Sequence, residues 1–267
     1  MNLQKNKTSL LISVDNKREI KKIKNYVDVI DLKNPIDGAL GAWEKKEIQE
    51  ITSTYKNEII ISATLGNLQT INEIKQKINL FENLGLDYLK VGFFKDSVTH
   101  TKKILDYFKN LNFKTKLVAV LFAENKNIIK FALNNFNFFK QSNINTILID
   151  TKNKKSLGTL EIFSDEFFKN FIMSAKIEKI NIGIAGKIKI MDLNRLLRLK
   201  PNLVGIRGAA CVSNQRESSI SVKSIKKIKS YFIEETKNAQ DVAGAWNAAF
   251  FLRFDFPATI SSNFKTL

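Results

Sequence analysis

The sequence is nearly empty of the residues that most often build reactive or metal sites. A single cysteine, Cys211, in 267 residues leaves no internal disulfide framework and no cysteine metal cluster. A single histidine, His100, leaves no His-rich metal site and argues against a Ser-His-Asp triad, so neither a metal nor a cofactor is expected. No segment reaches the ~18 consecutive apolar residues of a membrane span, and the apolar run within MNLQKNKTSLLISVDN is too short for a signal peptide. The expected setting is therefore the cytoplasm, with no membrane partner. Carboxylates are scarce as well, 26 against 43 Lys and Arg, for a net charge of +17. Such an excess can mark a nucleic-acid face. Here, however, lysines are spread over nearly every helical segment without interleaved aromatics, which describes a solvated surface and no nucleic-acid partner. That surface would still draw in small phosphorylated substrates. Any catalysis must then rest on Lys, Asp, Glu or Arg.

What the sequence does contain is a repeated pattern. Short Val- and Ile-rich runs recur, each followed by a longer amphipathic, charged segment. The runs are 10–14, 27–33, 59–64, 88–92, 116–122, 146–150, 180–185 and 203–207. Strand alternating with helix predicts βαβ units and a parallel sheet. Eight units in roughly 235 residues predict closure into a single α/β (β/α)8 TIM barrel, class I aldolase-like, without large insertions. The rival, an open doubly wound sheet, lacks its Gly-x-Gly-x-x-Gly after the first strand. The barrel is expected to occupy 1–237. Residues 238–267, with the apolar run from Trp246 to Phe254, would form a tail on the barrel or in a subunit interface.

Barrel chemistry sits at the C-terminal ends of the strands. The second run, in VDVIDLKNPIDGALGAW, ends in Asp31 and Lys33, which project to one face of the strand, opposite Ile30 and Leu32. Pro35, Gly38 and Gly41 then break the backbone as a loop over a ligand site would. The fourth run carries Lys90 inside an apolar segment, the sixth ends in Asp150 with Lys154 four residues on, and the eighth ends in Arg207 and Gly208. All four are even-numbered, and alternate strands share layers in a barrel, so these charges can converge. Taken as structure alone they would be buried ion pairs, Lys33 with Asp31 and Lys90 with Asp150. Buried pairs are poor stabilisers, which favours a site.

A lysine attacks carbonyls only when neutral, and a second lysine facing Lys33 would favour that form. Carboxylates beside the pair can move protons to and from an imine and enamine. This is the logic of a class I aldolase. A phosphate handle is expected after the seventh and eighth strands, where Gly186, Lys187, Arg207, Gly208 and Ala209 place small and basic residues together.

VDVIDLKNPIDGALGAW, YLKVGFF, ILIDTKNK and GIAGKIKIMDLNRLLRLKPNLVGIRGAAC together resemble the (5-formylfuran-3-yl)methyl phosphate synthases of methanofuran biosynthesis, also called 4-(hydroxymethyl)-2-furancarboxaldehyde-phosphate synthases. The resemblance runs in unbroken order from Leu10 to Ile228. It implies a (β/α)8 barrel, frequently a homo-oligomer, acting as a carbon–oxygen lyase of one-carbon metabolism. The implied substrate is glyceraldehyde 3-phosphate, two molecules of which condense through a lysine Schiff base. Lys33 would be the Schiff-base lysine and Lys90 the proton acceptor, with Asp31, Asp150 and Lys154 as further charged site residues. Of the lysines in DTKNKK, the family spacing selects Lys154 over Lys152 and Lys155.

Two positions depart from the family pattern. Lys187 stands where a small residue is expected, and Glu124 where an aspartate is expected. The rival functions are another Schiff-base phosphosugar aldolase, a phosphosugar isomerase, or, from a different class, a basic nucleic-acid-binding protein.

Overall fold

The computed structural model describes residue 3, residues 7–153 and residues 155–253, those from 238 onward as backbone only. The chain divides into two compact units, Met1–Phe232 and Ile233–Leu267. The expected role of the tail lies outside the described side chains.

The first unit is a closed, all-parallel barrel with strands in sequential order, β1 to β8. They are β1 (Ser9–Val14), β2 (Val29–Leu32), β3 (Ile60–Thr64), β4 (Tyr88–Phe93), β5 (Lys116–Phe122), β6 (Ile144–Asp150), β7 (Asn181–Ile184) and β8 (Leu203–Ile206). The helices are α1 (Lys17–Ile23), α2 (Lys45–Tyr55), α3 (Ile71–Phe81), α4 (Val98–Lys109), α5 (Lys126–Asn134), α6 (Phe136–Gln141), α7 (Thr159–Ile162), α8 (Asp165–Ile177), α9 (Leu193–Arg198) and α10 (Val222–Arg253). Pairing of β1 with β8 closes the ring, with Leu11 opposite Gly205. All eight runs read from the sequence become strands, though β2 ends at Leu32, leaving Lys33 one residue beyond it.

Two apolar layers follow from the alternation along each strand. Outward residues such as Leu10, Ile12, Ile30, Leu89, Ile149 and Ile184 pack with helix residues such as Ile48, Ile74 and Phe168 in the large core. Inward residues, including Leu11, Val29, Ile60, Tyr88, Val118, Leu148 and Leu203, form a separate plug inside the barrel. Above that plug the inward positions turn polar: Ser13, Asp31, Ser62, Lys90 and Asp150 are all buried. Local signals set the helix starts. Thr70 and Glu73 form a reciprocal capping box on α3, and the Ser164 hydroxyl accepts from the Phe167 amide on α8.

Candidate active site

Among the described residues the polar interior has two ion pairs. Lys90 Nζ lies 2.8 Å from Asp31 Oδ2, and Lys33 Nζ lies 3.6 Å from Asp150 Oδ2. The purely structural pairing, Lys33 with Asp31 and Lys90 with Asp150, is not the one formed. The cause is height along the barrel. Asp31 and Lys90 each occupy the third position of their strand, whereas Asp150 ends β6 and Lys33 lies just past β2.

Asp31 is fully buried and held from both sides. Ser13 of β1 and Ser62 of β3, its register neighbours, donate to its two oxygens at 2.8 and 2.6 Å. With the Lys90 ammonium added, its carboxylate is well satisfied for an ion in a dry interior. These two serines were missed in the sequence, where each reads as a small polar residue inside an apolar strand.

Lys33, Lys90 and Asp150 open into a cavity of about 790 Å³ at the C-terminal ends of the strands. That lies within the range of ~300–1,000 Å³ typical of ligand pockets. Asp31 is not among the lining residues and sits beneath Lys90. The cavity wall also includes Gly186, Lys187, Arg207, Gly208, Ala209 and Arg216.

The β7 exit has the features of an anion cradle. Among the described residues, the amides of Gly186, Lys187 and Ile188 donate to no protein acceptor. Gly186 is required as glycine: its φ is +92°, and a Cβ there would lie 2.3 Å from Thr159 Oγ1. Lys187 follows at φ +57°, also left-handed. That conformation accounts for the small residue expected at this position, since a side chain there costs about 1 kcal/mol. The Lys187 ammonium bonds the carbonyl of Ser156.

Arg207 is placed differently from expectation. Its Nη1 donates to Glu19 Oε2 at 2.5 Å and to Ser13 O at 3.1 Å, and its Nε donates to Arg216 O at 2.9 Å. Its Nη2 donates to Ser218 O and approaches Asp15 Oδ2, both at 3.1 Å. Of the five N–H donors of the guanidinium, four make hydrogen bonds within the protein, and Nη2 also lies within ion-pair distance of Asp15. The side chain ties β8 to β1 and commits most of its donors inside the protein while lining the cavity. Burial pushes the Asp15 carboxyl above its ordinary value, and Arg207 pulls against that.

The loop after β2 is closed by Asn34 and Gly41, whose amide-to-carbonyl bond is 2.9 Å. It is pinned from two directions. Asn67 accepts from the Leu40 amide at 2.9 Å, and Arg216 Nη2 donates to the carbonyls of Pro35 and Gly38 at 2.9 and 3.2 Å. Opposite, Glu124 accepts from the amides of Lys152 and Asn153, both at 2.9 Å, and so fixes the loop after β6. Lys154, expected in that loop as a site residue, lies outside the described residues. Among the described residues no cluster of His, Cys, Asp or Glu is built to hold a metal, and no helix is long and apolar enough to cross a membrane.

Residues 10–229 match the family model described as 4-HFC-P synthase. The chain is 28% identical over 227 residues to the (5-formylfuran-3-yl)methyl phosphate synthase of Methanosarcina barkeri, covering 82% of this chain and 97% of that protein. It is 29% identical over 223 residues to the enzyme of the same name from Methanobrevibacter smithii, covering 78% and 92%. Among solved structures, 3-hexulose-6-phosphate synthase from Salmonella typhimurium aligns with a TM-score of 0.60 at 14% identity, covering 85% of this chain and 100% of that one. Phosphoribosyl anthranilate isomerase from Thermococcus kodakaraensis aligns at 0.55 and 15%, covering 83% and 98%. At such identities these two speak for the fold alone.

Proposed function

Since the chain belongs to the 4-HFC-P synthase family, we propose that it makes (5-formylfuran-3-yl)methyl phosphate from two molecules of glyceraldehyde 3-phosphate, with loss of one phosphate and two waters, as a carbon–oxygen lyase. The observation that carries this reading is the opening of two lysines, Lys33 and Lys90, each with its own carboxylate, into one cavity at the catalytic end of a barrel.

The neutral amine of Lys33 adds to the carbonyl of one triose phosphate, and the carbinolamine loses water to give the imine. Asp150, beside Lys33, takes and returns the protons of that step. Lys90, in its neutral amine form, removes the α-proton, and the electron pair moves into the enamine. Asp31, beneath Lys90 and out of reach of the cavity, stabilises the ammonium that results. The enamine carbon then attacks the aldehyde of the second molecule. Elimination of phosphate, closure of the ring oxygen onto the imine carbon with expulsion of the Lys33 amine, and loss of a second water lead to the furan, whose aromaticity draws the sequence forward. The amides of Gly186 to Ile188 bind a substrate phosphate at the β7 exit.

Borohydride reduction in the presence of glyceraldehyde 3-phosphate, followed by peptide mass mapping, tests the proposal. A reduced adduct on Lys33 is expected, and an unlabelled Lys33 would overturn it. Growth of a furan-aldehyde absorbance in the near ultraviolet separates this reaction from a simple aldol addition or an isomerisation.

A further inference from the structure

The cations around the cavity differ in how they are neutralised. Lys90 is paired with Asp31, Lys33 with Asp150, Lys189 with Glu161 at 3.1 Å, and Arg207 with Asp15 and Glu19. Among the described lining residues, Lys187, Lys227 and Arg216 have no such partner; the two lysines are exposed, and Arg216 alone of the three is half-buried. Among the described residues no carboxylate lies within ion-pair distance of its guanidinium, and its side-chain bonds run from Nη2 to the carbonyls of Pro35 and Gly38. Those two bonds orient the guanidinium, and among the described residues Nε and Nη1 have no acceptor. The group is half-buried and lines the cavity wall. Burial pulls its pKa below the ordinary arginine value, opposed by the charges of Asp150 and then Glu217. A half-buried cation oriented by neutral acceptors, with no described carboxylate within ion-pair distance, suits an anionic ligand.

Its position indicates which anion. Arg216 leans from the segment after β8 onto the loop after β2, whereas the open amides of Gly186 to Ile188 belong to the β7 exit. In the ring order β7, β8, β1, β2 these anchoring points are three strands apart. One cavity therefore offers two separate anion positions, and the proposed reaction brings in two phosphates.

We infer that Arg216 binds the phosphate of the second triose phosphate, the molecule that does not form the imine, while the β7 amides hold the phosphate of the molecule bound to Lys33. The inference rests on the function proposed above and assigns a substrate subsite within it.

The test compares two concentration dependences on glyceraldehyde 3-phosphate, that of borohydride trapping at Lys33 and that of furan formation. In R216A, half-saturation of trapping should stay within about twofold of wild type, while half-saturation of turnover should rise about 10- to 100-fold, the range of a charge-assisted phosphate contact. R216K, which keeps the charge but not the fork, should recover part of the loss. Because Arg216 also steadies the loop after β2, N67A serves as a control: it loosens the same loop from the other side without altering charge. It should leave the ratio of the two half-saturations within about threefold of wild type, against the far larger change from a lost charge-assisted contact. A parallel shift of trapping and turnover in R216A would assign Arg216 to the first molecule and overturn the inference. So would an N67A profile matching R216A. Absence of any Lys33 adduct in wild type would instead sink the proposed function and, with it, the subsite.

Discussion

Lys90 holds Asp31, not Asp150, although all three residues were legible as converging charges. The 2.8 Å pair is buried on both sides, with side-chain exposures of 4% and 0%, and Asp31 is also held by Ser13 and Ser62. Removing one member of such a pair leaves an uncompensated ion, at a cost of about 3–5 kcal/mol. K90M should lose near the lower end of that range, because two hydroxyls still solvate Asp31. Combining K90M with D31N should destabilise less than the sum of the two single changes, which urea denaturation of the four proteins can measure. K90M should also lower turnover by about 10²- to 10⁴-fold, the contribution typical of a positioned base. Trapping at Lys33 should persist.

Arg207 gives a second prediction, on the boundary between structure and binding. Its four hydrogen bonds and its ion-pair contact with Asp15 join β8, the end of β1, α1 through Glu19, and the loop around Ser218. Lysine has three donors and no planar fork, so R207K must leave Asp15, Glu19 or the carbonyls unsatisfied. Stability should fall by about 2–4 kcal/mol. Among molecules that remain folded, half-saturation for glyceraldehyde 3-phosphate should change less than about threefold, since a direct phosphate contact would be worth far more. A tenfold or greater rise with unchanged denaturation would return Arg207 to the phosphate site.

How far the sequence revealed these arrangements depended on range. The eight strands were visible because each is a short apolar run between charged helices, and Lys33, Lys90, Asp31 and Asp150 stood out as charges at or within such runs. That Lys90 pairs with Asp31 was not visible, because it turns on a height difference of two residues between facing strands. The Arg207 hub was hidden for a related reason: its carboxylate partner Glu19 lies 188 positions away on α1. Arg216 carried no signal beyond a basic residue in a polar loop. Its standing comes from the carbonyls it meets after the barrel closes.

Glu124 shows how a departure from the family pattern is accommodated. The carboxylate bonds the amides of Lys152 and Asn153 and lies 3.4 Å from the Ser156 hydroxyl, bridging β5 to the loop after β6. E124A should cost under about 2 kcal/mol of global stability, because the group is only half-buried. Hydrogen exchange at the Lys152 and Asn153 amides should nonetheless speed up well beyond that of β6. E124D, one methylene shorter, should fall between the two. Unchanged exchange in E124A would mean that the loop holds its shape without the carboxylate.

The single histidine offers a pH prediction that no other imidazole can obscure. His100 lies in the first turn of α4, half-buried, with its amide donating to Ser97 Oγ at 3.3 Å. Burial lowers its pKa from 6.5, with help from the charges of Lys95 and then Lys103. A base with a depressed folded value stays neutral in the native state while the unfolded chain already takes up a proton. Its contribution to stability is therefore complete above the unfolded value and is lost as the pH falls through that value toward the folded one. The proton NMR signal of this imidazole should titrate below 6.5. The urea midpoint should decline between about pH 7.5 and about pH 5.5, a window above most carboxylate titrations. H100Q should flatten that decline, and K103Q should move the imidazole titration upward by removing a nearby like charge. A titration at or above the ordinary value would contradict the burial from which the prediction is drawn.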